Sequence, residues 1–310
     1  MVHSFDECFS AFPDLKIPAD YPAFWEKADD SMAGQPLDIQ QKLNIKKSLG
    51  WESLSDVSFS GAGNLRLQAS LSVPRRRGRA PIVISFHDYH ATPETDREYT
   101  DQGLAHLALQ LRYHHRTPQE DQNVLSIPLF QRYGLAETQN SFPYQCFLDG
   151  LRAVDYASTL KNLASDRLAV VGRGFGAAIA AFVAWRRPAV KALALEQMGF
   201  AAFPLWLKDA TVDYSNEMRF LLSKNAPQKA RARKNLDYLD VLHMVPELTT
   251  PTLAVVHMND PVNPPRPAFG FFNRLQCEKT MELFMDEKPP GFKEVRRKSL
   301  SFLAEVVKEM

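Results

Sequence analysis

The residues from Gly172 to Ala177, "GRGFGA", follow an apolar run and could support one of two kinds of chemistry. Gly172, Gly174 and Ala177 match G-x-G-x-x-A, a turn that places the pyrophosphate of a dinucleotide on a helix N-terminus. The same stretch matches G-x-S-x-G, the turn that presents the nucleophilic serine of a hydrolase, except that Gly174 stands where the serine belongs. The first pattern predicts nucleotide binding. The second predicts a hydrolase-like site that has lost its nucleophile.

The nucleotide-binding interpretation has one further residue in its favour. Glu196 ends the next predicted strand, about 20 residues on, where an acid that binds ribose is expected. However, the dinucleotide fingerprint normally opens the first strand–helix–strand unit of its sheet, and here at least four predicted strands come earlier. We therefore favour the hydrolase-like turn, and we expect Glu196 to be a strand-end carboxylate that pairs with a nearby cation.

Several histidines follow predicted strands, at the sheet edge where ligands bind in proteins of alternating strands and helices. One hypothesis is that one histidine of the group His87, His90, His114 and His115 acts as a general base for water, with the Tyr89 N–H stabilising an oxyanion. The alternative, which we favour, is that His87 only holds its loop by hydrogen bonds and that His114 and His115 are a surface pair. Asp260 also follows a strand and is expected to cap its own loop. No H-E-x-x-H or C-x-x-C spacing is present, so we expect neither a metal nor a cofactor.

Elements that would position these residues follow from the hydrophobic pattern. Short apolar runs typical of buried parallel strands alternate with helical patterns, which predicts an α/β fold with a mostly parallel, doubly wound sheet. The predicted strands are Pro81 to Phe86, Ala105 to Leu111, Leu168 to Val171, Ala192 to Leu195 and Thr252 to His257. The predicted helices are Tyr21 to Met32, Gln145 to Leu163, Gly176 to Arg187 and Val295 to Lys308.

Three further regions complete the predicted organisation of one domain over residues 1–310. Residues 1–45 form an N-terminal arm, Asp56 to Pro74 form a hairpin with one solvated face, and residues 203–245 form a helical insertion. The aromatic residues of the insertion and its approach are expected in the core rather than on a platform that stacks sugars. They are Phe200, Phe203, Trp206 and Phe220.

Composition excludes some classes of partner. The 310 residues carry 37 basic and 36 acidic side chains, so no net field favours nucleic acid or an anionic membrane. The three cysteines are widely spaced and odd in number, which argues against a disulfide framework. The N-terminal residues lack the pattern of a signal peptide, and no run approaches the roughly 18 apolar residues of a membrane span. We expect a cytoplasmic protein.

Over nearly its full length, the chain resembles the acetyl xylan esterase and cephalosporin C deacetylase family, a branch of the α/β-hydrolases. The resemblance begins with the arm segment Pro13 to Ala28, "PDLKIPADYPAFWEKA", and the hairpin. His87-Asp88-Tyr89 lies at the family's His-Gly-Tyr oxyanion motif, and Arg112 lies at the arginine of its Arg-Gly-Gln-Gly motif. Asp260 with Pro264 and Pro265 matches the family's acid loop. The resemblance implies an α/β-hydrolase fold, a small acetylated or carbohydrate ligand and assembly into a homo-oligomer, a hexamer in the family.

The departures from the family pattern lie at the catalytic positions. The resemblance assigns the nucleophile to Gly174, the oxyanion-hole residue after it to Phe175, and the catalytic histidine to Pro289, so that only Asp260 of the triad is retained. Glycine offers no nucleophile, and the proline nitrogen can neither accept nor donate a proton. We therefore predict a pseudoenzyme with a ligand-binding or assembly role. The alternative is an esterase that uses a rearranged site of His87, His90, His114 and Asp260.

Overall fold

A computed structural model describes residues 3–48, 50–89, 91–93, 95–112, 138–211, 213–223, 226–286, 288 and 290–309. Within them, nine strands form one sheet in the order β1-β2-β3-β5-β4-β6-β7-β8-β9. The strands are β1 Gln40–Leu43, β2 Glu52–Ser60, β3 Arg66–Pro74, β4 Pro81–Phe86, β5 Ala105–Leu109, β6 Ala164–Arg173, β7 Val190–Glu196, β8 Thr252–His257 and β9 Lys279–Phe284.

Helices cover both faces of this sheet. They are α1 Phe5–Phe9, α2 Tyr21–Ala33, α3 Arg97–Asp101, α4 Phe142–Thr159, α5 Phe175–Arg186, α6 Phe203–Asp209, α7 Asp213–Ser223, α8 Ala226–Leu239, α9 Pro265–Arg274 and α10 Phe292–Glu309. Helix α5 is apolar on all sides and its residues from Phe175 to Ala184 are buried, because it lies between the sheet and the surrounding helices. Helix α10 packs on the opposite face of the sheet.

The direction of the strands decides where a ligand could bind. β1, β2, β3 and β5 pair antiparallel, whereas β5, β4, β6, β7, β8 and β9 pair parallel. The carboxyl ends of the parallel strands therefore meet at one edge of the sheet, which is where ligands bind in such folds. The predicted doubly wound α/β sheet is confirmed.

The predicted hairpin is confirmed as β2 and β3, but its predicted solvated face is wrong for β2. Asp56 is the only exposed residue of β2, because this strand pairs with β1 on one side and β3 on the other, and Glu52 accepts a buried hydrogen bond from Thr100 in α3. Strand β9 and helix α9 were not predicted. β9 has the burial of an edge strand, with no fully buried residue, so its sequence lacks the apolar run of the central strands.

The region between β7 and β8 is helical, as predicted. It contains α6, α7, α8 and the 3-10 segment Val241–Glu247. The Asp240 carboxylate accepts hydrogen bonds from the N–H groups of Ala202 and Phe203 and so caps α6. Phe200, Phe203 and Trp206 are buried as predicted, whereas the prediction for Phe220 is wrong, because its side chain is 51% exposed.

Candidate functional site

The turn after β6 has the geometry of a nucleophile elbow. β6 ends at Arg173, Gly174 has φ 55° and ψ −118°, and α5 begins at the next residue. The turn is fixed from both sides, since the Gly174 N–H donates to the Glu196 carbonyl at 3.0 Å and its carbonyl accepts from the Gly199 N–H at 3.1 Å. This strained conformation is one that glycine adopts without steric cost. The chain thus retains the bend of the elbow without the serine.

The Asp88 carboxylate occupies the space beside Gly174. A Cβ atom built on Gly174 would lie 2.1 Å from Asp88 Cγ and 2.1 Å from Asp88 Oδ2. Asp88 Oδ1 accepts two backbone hydrogen bonds, from the N–H of Tyr89 at 2.8 Å and from the N–H of Phe175 at 2.9 Å. Asp88 Oδ2 accepts a longer hydrogen bond, of 3.3 Å, from Asn263 Nδ2. The acidic side chain therefore fills the space that a side chain at position 174 would need.

The two N–H groups that hold Asp88 are the groups that form an oxyanion hole in this kind of site. One follows the nucleophile position at the start of α5, and the other comes from the loop after β4. Both point at a single oxygen atom, which is the arrangement that stabilises the oxyanion of a tetrahedral intermediate. The two N–H groups thus converge as the donors of an oxyanion hole do, and the oxygen on which they converge belongs to the chain's own carboxylate. The Phe175 N–H is also where the nucleotide interpretation would put a pyrophosphate, so that ligand would have to displace Asp88.

His87 supports the loop after β4, as the favoured interpretation predicted. Its Nε2 accepts a hydrogen bond from the Leu111 N–H at 3.0 Å, so the ring proton is on Nδ1, which donates to the Asp88 carbonyl at 2.7 Å. Both ring nitrogens are therefore engaged with the backbone, and neither can accept a proton from water in this arrangement. His90, His114, His115 and Pro289 lie outside the described residues.

The Arg112 guanidinium and the Phe175 ring are held in the packing of the chain by buried contacts. The Arg112 guanidinium forms two hydrogen bonds of 2.7 Å with the Asp149 carboxylate and a third, of 3.1 Å, with the Ala62 carbonyl, all of them buried. This pair joins the end of β5 to the hairpin turn and α4. The Phe175 ring is 3% exposed and stacks on Phe142. The family resemblance places Arg112 and Phe175 at the pocket, but of these two residues only the Phe175 N–H belongs to the site, and the Arg112 guanidinium and the Phe175 ring are buried in the packing.

Asp260 caps its own loop, as predicted. Its Oδ1 accepts hydrogen bonds from the N–H groups of Val262 at 2.8 Å and Asn263 at 3.0 Å. Burial raises the pKa of the Asp260 carboxyl above its ordinary value, and the negative charge of Asp88 adds to the rise, although the two backbone hydrogen bonds oppose it. Two carboxyl groups thus share this part of the site.

The raised pKa of Asp260 gives a testable effect of pH on stability. The Asp260 carboxyl holds its proton more tightly in the folded chain than in the unfolded chain. Its contribution to the free energy of unfolding is therefore largest below pH 3.8 and falls as the pH rises through the folded-state pKa. We expect Asp260→Asn, which keeps the accepting oxygen, to be more stable than the wild type at pH 7. We expect the difference to shrink as the pH falls toward about 4. Urea unfolding at both pH values measures this, and a difference that grows on acidification would contradict it.

Sequence patterns do not single out Asp88 and Asn263, which complete this site. The only signal is the aspartate at the glycine position of the His-Gly-Tyr motif. A side chain there has room only because Gly174 lacks one. Glu196 lies, as expected, near a cation, with Oε1 3.9 Å from Arg296 Nε. Among the described residues, no three potential ligands are grouped in a way that could hold a metal ion, and no helix is long and apolar enough to cross a membrane.

Comparison with known proteins identifies the family. Residues 5–306 match the model of the acetyl xylan esterase (AXE1) family. The acetyl esterase Axe7A of Xylanibacter ruminicola is 21% identical over 279 residues, which cover 86% of this chain and 62% of that protein. The chain therefore spans less than two thirds of this curated relative.

Solved structures have the same fold. The acetyl xylan esterase from Paenibacillus sp. R4 superposes with a TM-score of 0.88 at 21% identity, and the match covers 98% of this chain and 100% of that one. Acetyl xylan esterase 1 from Thermoanaerobacterium sp. JW/SL YS485 gives a TM-score of 0.84 at 21% identity, covering 99% of both chains. The α/β-hydrolase fold is thus confirmed, and, because the family model matches almost the whole sequence, the chain belongs to the acetyl xylan esterase family.

Proposed function

We propose that this chain is a noncatalytic member of its family, with a ligand-binding or assembly role, and that its serine-esterase site is inactive. One observation carries the proposal, namely that the Asp88 carboxylate lies where a serine side chain would be, with Oδ1 bound to both oxyanion-hole N–H groups. The homo-oligomer implied by the family resemblance is part of the proposal, as is a small acetylated or carbohydrate ligand.

Asp88 blocks ester hydrolysis in two ways. Sterically, an ester carbonyl oxygen cannot reach the Tyr89 and Phe175 N–H groups while Asp88 Oδ1 accepts from both. Electrostatically, a tetrahedral intermediate would bring a second negative charge next to the carboxylate, whereas the hole is arranged to stabilise one. The absent serine hydroxyl removes the nucleophile as well, so three requirements of the mechanism fail at the same place.

A second candidate function is acetyl ester hydrolysis by a rearranged site. The observation in its favour is that the two N–H groups still converge on one oxygen atom, so the hole would be ready to use if Asp88 turned away. His87 does not fit the role of base here, because both of its ring nitrogens hold the backbone. The second candidate function would then depend on Asp260, His90 and His114.

The two candidates differ in the wild-type reaction rate. We expect the protein to hydrolyse p-nitrophenyl acetate and acetylated xylo-oligosaccharide no faster than buffer that contains an equal concentration of an unrelated protein. Asp260→Asn serves as a matched variant, because it removes the retained acid and keeps the loop cap. A wild-type rate above background that this variant abolishes would overturn the noncatalytic proposal and support the second candidate.

A further inference from the structure

A small cavity lies at the carboxyl ends of β4, β6 and β7, on the face of the sheet that α10 covers. Side chains alternate between the two faces along each strand, which places Ser85, Arg173 and Glu196 on this face. Earlier residues of the same strands that point to this face are apolar and pack against α10. Phe292 and Arg296, from the first turns of α10, line the same space. The cavity measures about 50 Å³. Neither the elbow chemistry nor the loop supports described above use these side chains.

Two buried groups at this cavity have no hydrogen-bond partner in the described part of the chain. They are the acceptor Glu196 Oε1 and the donor Arg296 Nε. Glu196 is 1% exposed and Arg296 is 7% exposed, so bulk water does not solvate them freely. They lie 3.9 Å apart, which is too far for a direct hydrogen bond. Leaving such groups unsatisfied is unfavourable, and this cost favours a bound group that supplies both partners.

The charge of the cavity wall indicates an uncharged ligand. Both signs of charge are present at the cavity, since Arg173, Arg296, Glu196 and Asp88 are lining residues, and Arg296 is also paired with Asp96 at 3.2 Å. An anion would meet the two carboxylates, and a cation would meet the two guanidinium groups. The ligand must nevertheless donate a hydrogen bond to Glu196 and accept one from Arg296.

The two unpartnered atoms and the volume between them indicate the chemical group. A primary amide carries an acceptor and a donor on one carbon, so one such group can serve both atoms across 3.9 Å, and the cavity of about 50 Å³ is larger than a single water molecule needs. We propose that this cavity binds the terminal primary amide group of a small uncharged carboxamide or urea. The carbonyl oxygen accepts from Arg296 Nε, and the amide N–H donates to Glu196 Oε1. This site does not depend on whether the elbow is catalytic.

The size of the cavity limits what enters it. About 50 Å³ holds only a few heavy atoms, so the terminal group is inside and the remainder of the ligand is outside. The Ser85 hydroxyl, held 2.8 Å from His106 Nε2, contributes a polar wall. The Phe292 ring is 42% exposed and offers an apolar surface to the remainder of the ligand.

Three matched probes test the proposal on the folded wild-type protein. Acetamide carries both required groups, N,N-dimethylacetamide lacks the N–H donor, and acetate carries a charge. We expect saturation-transfer NMR titrations to give at least about tenfold tighter binding for acetamide than for the other two, because each would leave a buried partner unsatisfied. We expect a crystal soaked in acetamide to place the amide between Glu196 and Arg296.

A pair of variants separates this site from surface binding. Glu196→Gln is expected to weaken acetamide binding by about tenfold, because a hydrogen bond to a charged acceptor is replaced by one to a neutral acceptor. Glu282→Gln is the matched control and should bind acetamide like the wild type, since Glu282 lies on β9, away from the cavity lining, and pairs with Lys298 at 3.1 Å. Equal binding of the three probes, preference for acetate, unchanged affinity of Glu196→Gln, or ordered water alone in the soaked cavity would overturn the proposal. If Glu196→Gln does not fold, the probe selectivity of the wild type decides.

Discussion

The triple variant Asp88→Gly/Gly174→Ser/Pro289→His is expected to hydrolyse p-nitrophenyl acetate at least about 100-fold faster than the double variant Gly174→Ser/Pro289→His. The double variant restores the nucleophile and the histidine that the family resemblance assigns to these positions, but it keeps Asp88, whose carboxylate competes with the new side chain for space and with the ester for the two oxyanion-hole N–H groups. Loss of oxyanion-hole donors alone costs about 10² to 10³ in rate. Restoring the triad without emptying the hole should therefore fail.

The comparison has internal controls. Asp88→Gly alone empties the hole without supplying a nucleophile and should be inactive. The triple variant should also show a burst of p-nitrophenol that corresponds to an acyl-enzyme, because serine chemistry proceeds through that intermediate. If the double variant were as active as the triple variant, Asp88 would not be the obstacle, and the proposed role of its carboxylate would be wrong.

Gly174→Ala is expected to lower the free energy of unfolding by about 4 kcal/mol. Part of this loss is backbone strain, since φ is 55° at Gly174 and ψ is −118°, outside the ordinary left-handed region. The other part is the collision of the new Cβ with the Asp88 carboxylate, whose atoms would lie 2.1 to 2.4 Å away. Urea unfolding of purified protein measures the total.

Two further measurements separate the backbone strain from the collision with Asp88, one at a second glycine and one in an Asp88→Gly background. Gly63 has φ 65°, and a Cβ there would have its nearest neighbour, Gln145 Oε1, 3.8 Å away, so Gly63→Ala should lose only about 1 to 2 kcal/mol of backbone strain. In an Asp88→Gly background, the cost of Gly174→Ala should fall by about 2 kcal/mol, because the collision is gone. If Gly174→Ala cost the same in the wild-type and Asp88→Gly backgrounds, the Asp88 side chain would not occupy the space beside Gly174.

The sequence contains most of what determines the fold. Runs such as Pro81 to Phe86 and Thr252 to His257 predict strands with the observed bounds, because a strand buried on both faces must be apolar throughout. Edge elements are harder to predict. β1 is exposed along its whole length and β9 has no fully buried residue, so neither sequence carries a burial pattern.

At the candidate site, the sequence indicates what is absent but not what has replaced it. Local pattern predicts the elbow and the missing serine at Gly174. The partner of that loss is Asp88, 86 residues earlier in the chain, and nothing local says that its side chain turns toward α5 rather than toward solvent. Such a contact depends on how β4 and β6 pair side by side in the sheet. For the same reason, the pairing of Arg112 with Asp149 can be recognised only once the hairpin and α4 are in place.

The central claim is that the Asp88 carboxylate occupies the oxyanion hole over Gly174. A high-resolution crystal structure of the wild-type protein, grown without carboxylate buffers, tests it most directly. The predicted result is continuous density for Asp88 with Oδ1 within hydrogen-bond distance of the N–H groups of Tyr89 and Phe175, at about the 2.8 and 2.9 Å described above. Density for Asp88 turned away from Gly174, with water bound to the two N–H groups, would contradict it.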